Sequence, residues 1–385
     1  MRRGASFFFA VIGIISAMRW PNLYKLDFLV LGAVTAIVAI GLYYLCSIDS
    51  AYFQRQLLWT GVGFAAMFAT LCVDYRWLLA KAYLLYAVAF SLLVFVLLQP
   101  EVRGARSWIN LKLFAVQPSE IMKLALILAL AAYLGKRDNQ WTVRGLIMPF
   151  LLLFLPLALI LKQPDLGTGI LLPPILFAML YASGARLLHL GLIAAAGALG
   201  AIPMWMFVLK EYQKNRVRAF INPELYSARE AWQLIQSLIA IGCGGISGMG
   251  WGSGSQNTLG LLPDRHTDFI FGIIAEEGGF VTASSLLGLY LLLVVGGLHI
   301  ARACPEAEGK LIAVGISSLI GFQALINTGV VTAVLPTTGI TLPLVSYGGS
   351  SLVITFAMIG LLLNVGMDTR VAIDGHRFTG GLGGK

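Results

Sequence analysis

The sequence predicts an all-α polytopic membrane protein, with about ten transmembrane helices and one long extracytoplasmic loop between spans seven and eight. Three observations predict it. Of 385 residues, 58% are hydrophobic and only 12% charged, against roughly 45–50% and about 25% in soluble domains. The mean hydropathy is +0.84. Apolar runs close to the ~20 residues needed to cross hydrocarbon recur along the whole chain, and only one stretch between them, residues 210–268, is long.

Taken in order, residues 1–21 form an N-terminal cytoplasmic or interfacial segment. Their apolar run from Phe7 to Met18 is too short to span, and reads as an interfacial helix or as an extension ahead of a start at Met18. Residues 22–368 form a single transmembrane domain. Its spans are expected at 28–46, 57–73, 77–98, 119–135, 145–163, 166–183, 187–209, 269–298, 311–334 and 345–367. Residues 369–385, short, polar and glycine-rich, are expected to be a disordered cytoplasmic tail.

The net charge of +9 does not point to nucleic acid, because Lys and Arg sit in short loops between apolar runs and no nucleic-acid motif is present. With the N-terminus inside, a modest majority of the 27 basic residues is cytoplasmic. Both termini are then cytoplasmic and the long loop lies outside. Positive charge retained on that outer side implies an anionic ligand there. The four cysteines show no metal spacing and read as packed free thiols.

Polar residues interrupt the apolar pattern at a few places. Arg55 and Trp59 near the start of the second span fit a headgroup-level anchor. Glu120 and Lys123 open the fourth span as an i,i+3 pair, either self-neutralising or facing a shared polar cavity. Asp165, in Lys162-Gln163-Pro164-Asp165-Leu166-Gly167-Thr168-Gly169, either caps the sixth span or lines a cavity. Lys210, Lys214, Arg216 and Arg218 head the long loop and suit phosphate or lipid headgroups equally. The amphipathic AWQLIQSLIAIG that follows suits the interface plane, and the glycines from Gly242 to Gly254 allow sharp turns or close backbone approach. Gly348 to Ser351, opening the last span, serve helix packing or a cavity floor.

The densest cluster is LGLLPDRHTDFIFGIIAEEGGF, residues 259–280. Asp264, Arg265, His266 and Asp268 stand directly before an apolar run, and Glu276 and Glu277 fall inside it. Charge beside hydrocarbon costs several kcal/mol unless it faces a cavity or a partner, which makes these residues functional candidates.

FQRQLLW, QPSEIMK, QPDLGTG, LLPDRHTDFIFGIIAEE and LPTTGITLPLVSYGGSS, in this order from about residue 22 to 368, resemble the SEDS family (shape, elongation, division and sporulation). FINPE at 220–224 and SGSQ before LLPDRHTDF resemble its elongation branch, RodA, more than its division branch, FtsW. The resemblance implies a peptidoglycan glycosyltransferase that polymerises lipid II, the undecaprenyl-pyrophosphate-linked disaccharide peptide, on the outer face of the bacterial cytoplasmic membrane. The implied partners are a class B penicillin-binding protein transpeptidase and elongation-complex membrane proteins. It assigns Asp268 as the catalytic acid, and Arg55, Glu120, Lys123, Asp165 and Ser346 as functionally sensitive positions. His266 is then a support, and Glu276 with Glu277 a structural or activation element. A carboxylate in a partly dry cleft suits the base role. The departing pyrophosphate needs positive charge, from Arg55, Lys123, Arg216 or Arg218, or from a divalent cation, Mg or Mn; no cofactor is certain. The implied α-to-β change requires inversion and a single displacement. The chain departs from the family's usual residues at Asp264-Arg265, at Cys243 and at Gly278, where Gly278 is expected to loosen the eighth span by up to about 1 kcal/mol. A lipid II flippase and a non-catalytic scaffold for a transpeptidase are the competing readings.

Overall fold

The structure is a computed structural model that describes residues 24, 26–99, 106–111, 114–136, 142–208, 211–222 and 229–379. The expected N-terminal segment 1–21 and the final residues 380–385 lie outside these. In order, the helices are α1 (Phe28–Ile48), α2 (Ser50–Cys72), α3 (Tyr75–Ala80), α4 (Ala82–Val96), α5 (Pro118–Leu134), α6 (Val143–Lys162), α7 (Leu166–Ala182) and α8 (Leu187–Pro203), which ends in a π turn, Met204–Val208. Then come α9 (Glu211–Ile221), α10 (Arg229–Gly244), α11 (Ser255–Thr258), α12 (Ile270–Ala303), α13 (Ala307–Val331) and α14 (Gly349–Thr379). A small antiparallel hairpin, Ile109–Leu111 with Phe114–Val116, lies between α4 and α5.

The starts of these helices follow from simple chemistry. Asp27, Asp49, Asp74 and Asp165 each precede an apolar run, and each side chain accepts backbone N–H groups of the helix it opens. Pro118 opens α5, where its missing N–H is no loss. All ten expected spans fall on helices. Among the described residues, six helical stretches, in α1, α6, α8 with its π turn, α12, α13 and α14, are long and apolar enough to cross a membrane. α4 and α7 are shorter apolar helices.

Two expectations are corrected here. The third span is two pieces, α3 and α4, because the chain turns at Lys81 and keeps that charge exposed. The last helix runs on to Thr379 through the supposed disordered tail, since neither a proline nor a glycine pair interrupts it before Gly380-Gly381.

α5 is the axle of the bundle. It is buried on nearly every side, from Pro118 to Leu134, as expected of a helix with apolar residues all round. α13 packs on α5 and α7, α14 lies along α2, and α12 packs between α13 and α1. α8 is the opposite case, with only 7% of its span buried.

The described parts of the expected long loop, residues 211–222 and 229–268, are not an open loop. α10 packs against α12 instead of lying apart in the interface plane: Leu234, Gln236, Ser237 and Ala240 are buried, and Ser237 Oγ donates to Val331 O of α13 at 2.6 Å. The glycine-rich stretch after it meets a break in α12. Gly279 has φ 69 and ψ −172, a conformation open essentially to glycine alone. Helical hydrogen bonds fail there, and residues 245–250 replace them. Phe280 N–H donates to Gly245 O at 2.9 Å and Val281 N–H to Ile246 O at 3.2 Å. In return, Met249 N–H donates to Glu276 O at 3.0 Å and Gly250 N–H to Glu277 O at 3.1 Å. Broken backbone at membrane depth persists only where protein satisfies it in this way. A Cβ at Gly278 would collide with the Tyr44 hydroxyl, and one at Gly279 with Gly248 N. Gly278-Gly279 therefore permits a designed break, which corrects the expectation that Gly278 merely loosens the helix.

Candidate active site

A cleft of about 1290 Å³ opens among the ends of α2, α7, α9 and α14, the hairpin and the segments before α12 and α14. The order of the chain brings to it several residues far apart in sequence. Arg55, Asp165, Arg216, Asp264, His266 and Asp268 all line it. Trp59 and Trp108 add aromatic surface, and Tyr347 to Ser351 supply the start of α14.

Asp268 lies one residue before Phe269, which caps α12. Its carboxylate faces Gly339, where an added Cβ would stand 3.6 Å from Oδ2 and where φ is +75. Burial pushes its pKa up to about 6; the charge of Asp264 adds to the rise, Arg216 and the Thr267 hydrogen bond oppose it, and Asp165 contributes a smaller increase. Such an acid is ionised near neutral pH and yet basic enough to take a proton.

The neighbours in the HTD stretch act as supports. His266 stacks on Tyr52 with ring centroids 4.3 Å apart and planes 8° from parallel, and Tyr347 packs on both. Arg265 Nη1 donates to Asn257 O at 2.8 Å, so this guanidinium is engaged by the protein. Asp264 adopts φ 51, and its Oδ2 accepts from Gln233 Nε2 at 3.4 Å.

Of the expected positive groups, two reach the cleft. Arg55 is exposed on α2, and Arg216 projects from α9. Arg218 instead donates from Nη1 to Glu211 at 3.1 Å and to Asn215 at 3.2 Å on its own helix. Lys123, 1% exposed, pairs with Glu120 Oε2 at 2.8 Å beneath the cleft and does not line it. Of the two readings left open for Glu120 and Lys123, the structure shows the self-neutralising pair, sealed among α5, α13 and the segment before α14.

The remaining expected residues resolve similarly. Asp165 caps α7 through Thr168 N–H and also accepts from Thr168 Oγ1 at 2.9 Å, Gln117 Nε2 at 2.9 Å and Ser119 Oγ at 3.3 Å. It is a clasp with one edge on the cleft. Ser346, buried behind the wall, accepts from Leu342 N–H at 2.7 Å and donates to Thr267 O at 2.6 Å. Glu276 and Glu277 are wholly buried away from the cleft. Glu276 accepts from Ser255 Oγ and Gln256 N–H, and Glu277 from Ser47 Oγ and Asn257 Nδ2. They tie α11 and α1 to the break in α12.

Sequence reasoning missed Gln56, Asn257, Gln323 and Asn327. Gln56, 2% exposed, donates to Ser346 O at 3.0 Å and accepts from Gly348 N–H at 3.3 Å. Gln323 and Asn327 left a usable signal, two amides four residues apart inside an apolar run. Among the described residues, no group of three His, Cys, Asp or Glu could hold a metal ion.

Fold and site together define a polytopic helical membrane protein whose cleft combines one elevated acid with two guanidinium groups. Its sequence matches the cell cycle protein family of FtsW, RodA and SpoVE over residues 20–371. The chain belongs to that family, the SEDS proteins, and is a multi-pass membrane protein. It is 41% identical over 332 residues to stage V sporulation protein E of Bacillus subtilis, covering 84% of this chain and 89% of that protein. It is 35% identical over 318 residues to the peptidoglycan glycosyltransferase MrdB of Escherichia coli, covering 82% and 86%. A solved peptidoglycan synthase complex, described as coordinating polymerization and crosslinking, contains a chain that superposes with a TM-score of 0.78 at 36% identity, covering 89% of this chain and 98% of that one. Because a sporulation protein is more similar than MrdB, these relatives do not assign the chain to the elongation branch.

Proposed function

We propose that this protein is a peptidoglycan glycosyltransferase that polymerises lipid II, with Asp268 as the general base. The observation that carries the reading is the elevated Asp268 carboxylate in a large cleft that also holds Arg55 and Arg216. Asp268 takes the proton from the attacking sugar hydroxyl as the new glycosidic bond forms. The bond to the lipid pyrophosphate breaks on the opposite face, and the two guanidinium groups offset the charge that develops on the leaving group. Asp165 is committed to its cap. A single displacement with inversion then needs no covalent glycosyl-enzyme.

The cleft lies on the outer face of a bundle of about ten spans in the cytoplasmic membrane, where lipid-linked donor and growing glycan meet. A class B penicillin-binding protein crosslinks the product, consistent with the naming of the solved complex. FINPE and SGSQ support a role in elongation. The flippase reading loses ground, because Glu120, Lys123, Glu276 and Glu277 are sealed in pairs and hydrogen bonds instead of lining a path.

The test is polymerisation of labelled lipid II by purified protein in detergent, wild type beside Asp268→Ala, with and without divalent metal and the transpeptidase. Detergent removes the two leaflets, so product there cannot arise from transport. Glycan made by the wild type and lost in a folded Asp268→Ala variant supports the assignment. Full activity in Asp268→Ala overturns the role of this acid.

A further inference from the structure

The role of Asp268 as base, on which this inference rests, demands that its carboxylate be held still, and the chain around it is irregular. Its three carbonyls are all gripped. Tyr347 N–H donates to His266 O at 2.9 Å, Ser346 Oγ to Thr267 O at 2.6 Å, and Asn327 Nδ2 to Asp268 O at 2.8 Å. The first two donors belong to the segment before α14, which is itself irregular. The third comes from the last turns of a regular helix, α13, and the same Nδ2 also donates to Ile340 O at 2.7 Å.

Asn327 is 1% exposed, and its Oδ1 has no hydrogen-bond partner. Its orientation is therefore set by the two donations alone, since turning the amide over would face Oδ1 against two carbonyl oxygens. One turn earlier, Gln323 Nε2 donates to Thr341 O at 2.9 Å, and Gln323 Oε1 lies 3.5 Å from Lys123 Nζ. Thr338, Gly339 and Thr341 form the wall of the cleft beside Asp268. Two amides on one face of α13 thus fasten the acid and the wall it faces, and the Glu120–Lys123 pair anchors the lower amide.

We propose that Asn327 is a positioning residue for the reaction: by bridging Asp268 O and Ile340 O it sets the gap between the carboxylate and the wall at 338–341, with Gln323, Lys123 and Glu120 as its footing. A residue of this kind leaves substrate binding intact and acts on the chemical step, because a shift of about 1 Å in a reacting group costs on the order of 100-fold in rate.

The experiment is lipid II polymerisation by purified full-length Asn327→Leu and Asn327→Asp, with kcat and KM measured across the acid and neutral range. For Asn327→Leu, kcat falls by roughly 100-fold while KM stays within about twofold. For Asn327→Asp, a carboxyl facing two carbonyl oxygens keeps its proton and can make only one of the two donations, so kcat falls in the same direction with KM again held. If Asn327→Leu does not fold, Asn327→Ser, which keeps one short donor, carries the same comparison. Unmoved kcat in folded variants overturns the proposal, as does a KM rise alone. An inactive wild type would instead sink the polymerase reading itself, so the two failures are told apart.

Discussion

Asp268→Asn separates chemistry from stability. An ordinary aspartate titrates near ~3.9, whereas burial and Asp264 push Asp268 up to about 6. A displacement of about two pH units corresponds to about 3 kcal/mol at ~1.4 kcal/mol per unit, and water in the cleft reduces this to roughly 1–3 kcal/mol. The sign follows from proton counting. Between about pH 4 and about pH 6 the unfolded chain has released this proton and the folded chain retains it, so stability falls as pH rises; above about 6 the full cost of a buried charge is present. Asparagine cannot ionise. The variant should therefore melt a few degrees above wild type near pH 8, and the gain should vanish below about pH 4. Its polymerising activity should fall by roughly 10²–10⁴-fold above about pH 6, and by less below it, where the wild type has itself lost the ionised base. Thermal unfolding by intrinsic fluorescence in one detergent, at both pH values, reads the first effect, and labelled lipid II the second. A variant less stable than wild type near pH 8, or one whose gain ignores pH, would refute the account of this carboxylate.

Three further outcomes follow from the packing. Gly279→Ala must adopt a glycine-only conformation and collide with Gly248 N, so it should destabilise by about 3 kcal/mol or more; a melt within error of wild type would contradict the break in α12. Lys123→Met strands a buried carboxylate and should cost roughly 3–5 kcal/mol, while the double variant with Glu120→Gln should recover most of the loss; equal melting of single and double variants would show that the two do not act as a pair. Ser346→Ala leaves Leu342 N–H and Thr267 O without their partner, and should cost about 1–3 kcal/mol with a drop in kcat; unchanged turnover would show that Thr267 needs no such anchor.

Much of the fold was legible because hydrocarbon imposes a simple length rule, and Asp165 before α7 offers a side-chain acceptor at the helix start; the start of α2 at Ser50 was not, since its first turn is too polar to join the apolar run. The break at Lys81 was not, since one charge in an apolar run does not say whether the helix bends around it or stops. Asp268 stood out as charge placed beside an apolar run, but nothing in the charge pattern singled out Arg55 and Arg216 for the cleft; their suggested role rested on the family resemblance. Glu120 and Lys123 could not be assigned to floor or lining, because an i,i+3 pair has the same spacing in either place. Asn327 escaped notice for a different reason: its chemistry is directed at backbone carbonyls, and a donor to backbone needs no matching side chain that a sequence would display.

The break in α12 also changes how that helix should be counted. Its 34 residues, if straight, would extend roughly 50 Å, well beyond the ~30 Å of hydrocarbon. Exposure switches at Gly279. Every residue from Ile270 to Glu277 is buried, whereas Phe280 and Val281 are 68% and 57% exposed. Only the part from Phe280 to Ala303, about 36 Å long, offers lipid an apolar face. The part before it is a protein-jacketed plinth carrying Asp268 at its tip, with the glycine strand of 245–250 as the mortar between plinth and shaft. Variation in hydrophobic thickness from membrane to membrane then bears on the shaft and not on the segment that carries Asp268.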